Sequence, residues 1–331
     1  MTARARELAT TWIGGSTLVF LFAAIALPFV GPALNWDAVW QRQNPDWAIL
    51  AKLRLSRTLL ALFAGGALSL AGSLFQSMLR DALATPYTLG VSTGASLGAV
   101  LAISFGWHLV AGVVGVWAGA WAGAAVVLVI VMGAATRRGQ LSSTGLLLAG
   151  IALNSVCAAL ILLAHSLAGL SQSFAISRWL IGGLDALEWP TLTAYGVVVV
   201  ATSVSVIRNA PQWNLLSVGE DWAATRGADV KRSLLHGYVA GSILAAATVA
   251  LTGPIGFVGL VVPHVLRSHI GSDDRLLMPT SFLLGGVLLA CCDALGRVVL
   301  LPAEVPAGAI TALIGGPYLI SILRRGRGDA R

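Results

Sequence analysis

Charge is scarce in this chain: 11% of its 331 residues are Asp, Glu, Lys or Arg, against 57% hydrophobic residues and a mean hydropathy of +0.84. That balance excludes an ordinary soluble domain, so the net charge of +7 and the pI near 10.0 do not read as nucleic-acid binding. Lysine is scarcer still. Lys52 and Lys231 are the whole supply, and neither ends a G-x-x-x-x-G-K-[ST] loop, so ATP must be bound by another polypeptide. Cys157, Cys291 and Cys292 all lie in apolar runs without metal-ligand spacing, which implies no disulfide framework and no metal site. No H-E-x-x-H and no cluster of carboxylates occurs, so an intramembrane enzyme is not expected. An ion-coupled secondary transporter, the alternative transporter class, calls for carboxylates near mid-membrane. Asp293 is the nearest to one; it lies towards the end of its run, and Arg297 follows it by one helical turn.

What the chain has in abundance is apolar blocks, at about 12–34, 56–78, 89–106, 110–134, 143–167, 191–207, 235–252, 257–268, 278–297 and 306–323. Most approach the roughly 20 residues that cross a bilayer as a helix, and the eighth is short and expected to be bent or half-spanning. The expected fold is an all-α, polytopic transmembrane bundle of about 10 spans, forming one domain over 1–331. Arg4 and Arg6 before the first block read as the flank of an uncleaved first span.

Basic residues fall mainly into every second gap. With the N-terminus inside, only Arg42, Lys52, Arg54, Arg57, Arg178 and Arg297 of the 21 face out. The rest, among them Arg138, Arg208, Arg226, Arg327 and Arg331, lie inside, which puts both termini in the cytoplasm. Trp36, Trp40, Trp47, Trp107, Trp179 and Trp189 fall near the outer ends of blocks, where amphipathic rings prefer to sit.

Small residues recur at helical spacing. Gly90, Gly94 and Gly98, then Gly115, Gly119 and Gly123, then Gly65, Ser69, Gly72, Ser73 and Gln76 each form one helix face. Such a stripe serves either close helix packing or the lining of a polar route. The cytoplasmic stretch 208–233 mixes Leu215, Leu216, Val218 and Trp222 among charges. It reads as short helices docking on a soluble partner, or else as a solvated connector. On the other side, Lys52, Arg54 and Arg57 suit an acidic partner or anionic ligand, with lipid-headgroup anchoring as the alternative. Asn154 and His165 lie on nearly one face, about 16 Å apart along the axis. His165 reads as a packed, hydrogen-bonded residue or as a substrate contact, and His264 as a packing residue. From Thr252 to Arg267, TGPIGFVGLVVPHVLR interrupts any straight helix and frees backbone groups at membrane depth, which only protein or a water-filled cavity can receive. Glu304, just before Pro306, is placed to meet a helix N-terminus.

At that string the chain resembles the FecCD-type permease subunits of type II ABC importers for iron-siderophores, haem and cobalamin. The likeness also rests on LRLSRTLLALFAGGALSLAG (Leu53 to Gly72), LATPYTLGVSTGASLGA (Leu83 to Ala99), LLLAGIALNS (Leu146 to Ser155) and AEVPAGAITALIGGPYLISILRR (Ala303 to Arg325). The resemblance implies ten helices per subunit, a homodimer, two cytoplasmic ABC ATPase subunits that hold the ATP, and a periplasmic or lipid-anchored substrate-binding protein. It further implies a multi-pass protein of the bacterial inner membrane with no cofactor of its own, carrying haem or a ferric siderophore, with cobalamin as the alternative. Carried over residue by residue, Arg54, Arg57 and Arg297 match binding-protein docking positions, and Gly219, Glu220, Ala223, Ala224 and Gly227 match the ATPase coupling loop. Asp81, Leu83, Ser143 and Thr144 fall at the family's cytoplasmic gate, to which Asn154 and His165 add pathway candidates. Two strings depart from the family: Arg54-Leu55-Ser56-Arg57 has Ser for the usual Pro, and Asp81 stands where Asn is usual.

Overall fold

The computed structural model describes residues 3–137 and 140–325, so Arg138, Arg327 and Arg331 lie outside the described residues. In order come α1 (Ala3–Ala26), α2 (Trp36–Trp40), α3 (Asp46–Ala48), α4 (Leu55–Leu79), α5 (Val91–Ser104), α6 (Trp107–Ala135), α7 (Ser143–Leu167) and α8 (Leu170–Ile181). They are followed by α9 (Trp189–Arg208), α10 (Ala210–Val218), α11 (Glu220–Thr225), α12 (Val230–Thr252), α13 (Val258–Ile270), α14 (Asp274–Gly296) and α15 (Ala307–Arg325). Among the described residues, the departure from helix and loop is a two-residue antiparallel pairing of Thr136–Arg137 with Gln140–Leu141.

Each apolar block holds a helix, but among the described residues seven are long and apolar enough to cross a membrane: Thr11–Phe29, Asp46–Leu79, Gly112–Ala135, Ser143–Leu167, Trp189–Arg208, Val230–Thr252 and Asp274–Gly296. Two of the other three blocks give shorter helices, for a backbone reason. α5 has 14 residues because Gly90 (φ +79°) and Gly106 (φ +74°) bound it in left-handed turns. α13 has 13 residues, opened by Phe257 at φ +67° and closed by Gly271. The third holds α15, Ala307–Arg325.

α4 is the central post. Apart from its first turns it is almost wholly buried, packed by α9, α10, α12, α13 and α14. Its small residues make that possible: a Cβ on Gly65 would collide with the carbonyl of Gly285 in α14, and one on Gly72 with the carbonyl of Gly259 in α13. The two other stripes face each other, Gly94 and Gly98 of α5 against Gly119 and Gly123 of α6. Of the two readings of these stripes, packing is the one realised. Gly98→Leu therefore forces α5 from α6 and should cost at least about 1–3 kcal/mol, measured as a lower midpoint in tryptophan-monitored thermal unfolding in detergent; an unchanged midpoint would contradict it.

The ends of α4 define the two ends of the bundle. Arg57 lies near its start and Arg80 just past its close, about 35 Å apart at 1.5 Å per residue.

Candidate functional site

At the α4 C-terminal end, the 208–233 stretch folds as the short helices α10 and α11. The structure joins one coupling candidate, Glu220, to one gate candidate, Ser143, there. Glu220, opening α11, accepts from the Ser143 backbone N–H at 3.0 Å and from the Ser143 hydroxyl. Its carboxylate thus sits on the N-terminus of α7, where unpaired N–H groups and the helix dipole favour negative charge. Arg80, held at φ +55°, stands 3.9 Å from the same Glu220 oxygen and donates to Ser143 Oγ at 3.5 Å. Ala223 is fully buried, whereas Ala224 and Gly227 are exposed. Trp222 is exposed too, with the Arg226 guanidinium 4.6 Å over its ring.

Asp81 is used locally, accepting from Leu83 N–H at 2.8 Å to hold the turn after α4. Leu83 is exposed, and it lines a cavity of about 430 Å³ together with Thr85, Tyr87, Ile255 and Phe257. The Tyr87 hydroxyl is buried without a hydrogen-bond partner among the described residues, and burial pushes its pKa up, against ionisation. Thr144 is exposed beside Ser143.

Asn154 and His165 each bond a neighbouring helix. Asn154 accepts from Thr93 Oγ1 of α5, and His165 Nε2 lies 3.0 Å from Ser177 Oγ and 3.1 Å from Ser173 Oγ of α8. Both bind helix to helix. His264 packs edge-on against Tyr318, ring centroids 6.4 Å apart. Gly94 to Gly98 also spells the G-x-S-x-G of a nucleophile elbow. That string lies inside α5, and Ser96 is 4% exposed with its hydroxyl bonded to Ser92 O, so it is no elbow.

At the opposite end the basic cluster turns inward. Arg54 is 8% exposed and donates to the Pro32 carbonyl. Arg57 bonds Asp293 at 2.9 Å and Glu304 at 2.7 Å, and Arg297, 5% exposed, lies 3.3 Å from Asp293. Glu304 is thus committed to Arg57 rather than to the helix start after Pro306. Beside this cluster, Arg57, Arg178, Asp185 and Glu304 line a second cavity of about 510 Å³. Its floor is the α8–α12 junction, where Gly183 N–H meets Thr252 O at 2.8 Å and Gly182 and Gly253 adopt φ +71° and +66°.

The two cavities share the interrupted segment: Gly253 lines the 510 Å³ one and Ile255 to Phe257 the 430 Å³ one. The profile of the FecCD transport family matches residues 17–325. The chain belongs to that family. This FecCD permease is 34% identical over 328 residues to the hemin transport system permease HmuU of Yersinia pestis, covering 94% of this chain and 96% of that one. It is 36% identical over 308 residues to the cobalamin import system permease BtuC of Halobacterium salinarum, covering 90% and 82%. It is 34% identical over 279 residues to the Fe(3+) dicitrate permease FecC of Escherichia coli, covering 84% and 83%. A solved metal-chelate type ABC transporter in an inward-facing conformation superposes with a TM-score of 0.84 at 27% identity, covering 95% of this chain and 98% of that one.

Sequence reasoning missed three parts of this permease. α8 is one, a 12-residue amphipathic helix with Ser and Gln among its apolar residues; its visible signal is Gln172, three residues after Gly169, which accepts from the Gly169 N–H at 3.2 Å. Arg80 is the second and Arg178 the third, which in the sequence differ from other basic residues by nothing but their position.

Proposed function

We propose that this permease is the membrane-spanning, non-catalytic subunit of an ATP-driven importer in a bacterial inner membrane. It works as a homodimer with two cytoplasmic ABC ATPases and a periplasmic or lipid-anchored binding protein. In this reading both termini and the α10–α11 end face the cytoplasm, Arg54, Arg57 and Arg297 lie towards the binding protein, and Gly219 to Gly227 meet the ATPase.

The observation that carries the reading is the attachment of Glu220. A short helix with Trp222 and Ala224 exposed on its outer face is fastened on its inner face to α7 through Ser143, and to the end of α4 through Arg80. A push from a partner on α11 therefore reaches two long helices at once. Asp81, Leu83, Ser143 and Thr144 cluster by that attachment and form the gate. The two cavities flanking the interruption are segments of the route, the inner one lined chiefly by apolar groups, as suits a weakly binding conduit. Asn154 and His165 serve as helix-to-helix bonds rather than as substrate contacts.

The named relatives carry hemin, ferric dicitrate and cobalamin, all bulky metal chelates. We take an iron chelate, haem or a ferric siderophore, as the cargo, with cobalamin as the second reading. The test reconstitutes the permease with its ATPase and binding protein in vesicles and follows radiolabelled haem, ferric siderophore and cobalamin. ATP-dependent accumulation of an iron chelate is expected. Accumulation driven by an ion gradient with no ATPase present would overturn the reading.

A further inference from the structure

One buried polar chain has no part in the attachment of Glu220. It begins on α10, where Asn214 donates to Asp273 at 2.7 Å and accepts from the Asp274 N–H at 2.9 Å. Asp274, wholly buried, accepts from Ser77 Oγ at 2.8 Å. Ser77 in turn accepts from Arg267 at 3.2 Å, and Arg267 donates to Gln76 Oε1 at 2.5 Å. Gln76, 3% exposed, ends the chain by donating to the carbonyl of Gly259 at 3.2 Å. Five side chains from α10, α14, α4 and α13 thus connect the helix pair at the cytoplasmic end to the interrupted segment.

The last bond has a specific cause. In a helix the Gly259 carbonyl would accept from the backbone N–H four residues on, but that residue is Pro263, which has none. Gln76 supplies the missing donor from another helix. Gly259 follows Phe257, whose left-handed backbone opens α13 and whose side chain walls the inner cavity. The bond therefore pins the first turn of α13 at the place where the route is interrupted. Packing alone does not account for the chain: a buried charged residue and a buried amide are costly, apolar side chains would fill the same volume, and ionisable groups inside membrane bundles mark working parts. The Asp274 carboxylate also keeps one buried oxygen without a hydrogen-bond partner among the described residues, which leaves room for a second arrangement of the same groups.

We infer that Asn214, Asp274, Ser77, Arg267 and Gln76 form a linkage that carries displacement of α10 to the Gly253–Gly259 interruption, releasing or re-forming the Gln76–Gly259 bond as the route opens and closes. These are positioning residues; none is assigned to touch the cargo. The inference rests on the importer reading above. When the ATPase moves α10, Asn214 pulls on the N-terminus of α14, Asp274 shifts Ser77 and Arg267, and Gln76 moves relative to the freed carbonyl.

The test uses the full transporter in vesicles and reads cargo moved per ATP hydrolysed, for Asn214→Ala, Gln76→Ala and the double variant. Asn214 and Gln76 do not touch, so independent structural effects would multiply. Members of one linkage behave otherwise: each single variant should lower cargo per ATP about tenfold with hydrolysis retained, and the double variant should fall no further. Unchanged cargo per ATP in either single variant, or a hundredfold fall in the double, would overturn the inference. If Gln76→Ala does not assemble, Ser77→Ala, which removes the bridging hydroxyl alone, takes its place with the same two outcomes. Failure of the unmodified complex to take up any chelate with ATP would instead count against the importer reading.

Discussion

Glu220→Arg should abolish uptake by the assembled transporter, at least about 100-fold, while the permease still inserts and the ATPase still turns over. The Glu220 carboxylate accepts two hydrogen bonds from Ser143, and bonds to a charged group contribute about 1.5–3 kcal/mol each. Reversal also sets a guanidinium against Arg80, now 3.9 Å away, where two unit charges repel by about 4 kcal/mol at an effective dielectric near 20. Arginine at the N-terminus of α7 further opposes the helix dipole. Together these exceed the roughly 2.7 kcal/mol that a 100-fold effect needs, at 1.36 kcal/mol per factor of ten. α11 then moves without taking α7 and α4 with it. Uptake and ATP hydrolysis measured in the same vesicles decide the matter: continued hydrolysis with lost uptake is the expected pair, and uptake within twofold of the unmodified protein would remove Glu220 from the coupling path. Glu220→Gln, which keeps the acceptor oxygen, should retain more uptake than the reversal does.

The pattern of apolar blocks located every long helix, because hydropathy over some 20 residues is a local property that lipid imposes. It also marked the interruption near Gly253 and Pro263, since Gly and Pro act locally on the backbone. Short helices escaped it. α8 alternates Ser and Gln with Phe, Ile and Trp over 12 residues, too short and too polar for a block. Partners far apart in sequence escaped as well. Asp293 and Arg297 were legible as a pair one turn apart, and they do pair, but Arg57 reaches the same carboxylate from 236 residues away. Three of the basic residues that break the charge asymmetry, Arg54, Arg57 and Arg297, are turned into the protein and met by carbonyls and carboxylates. They stand as part of the fold, so in the proposed orientation their place on the minority side is no exception to be explained by a partner alone. The 214–274–77–267–76 chain was invisible for the same reason: its members are unremarkable until four helices bring them together.

Asp293→Ala should be the most damaging single change at the opposite end of the bundle. Asp293 is 1% exposed and lies between Arg57 and Arg297, so its loss leaves two guanidinium groups without their shared carboxylate. Removing one partner of a buried pair costs about 3–5 kcal/mol, which for a chain of this size lowers the unfolding midpoint by on the order of 10 °C. Glu304→Gln is the instructive contrast. Glu304 is 55% exposed in its bond to Arg57, and an exposed pair contributes only about 0–1 kcal/mol, so the fold should scarcely register the change. On the docking role proposed for Arg57, its effect belongs to the binding protein. While Glu304 holds one edge of the Arg57 guanidinium, an acidic residue of a binding protein must displace it to reach Arg57. Glu304→Gln removes the competitor's charge and should tighten the permease for its binding protein by several-fold, whereas Arg57→Ala should weaken it. Affinities of the detergent-purified complexes for the binding protein distinguish the cases at fixed low salt, where exposed charge pairs are least screened. Weaker binding with Glu304→Gln would mean that the partner reads the glutamate itself and presents a basic group to it, reversing the charge assignment of this surface.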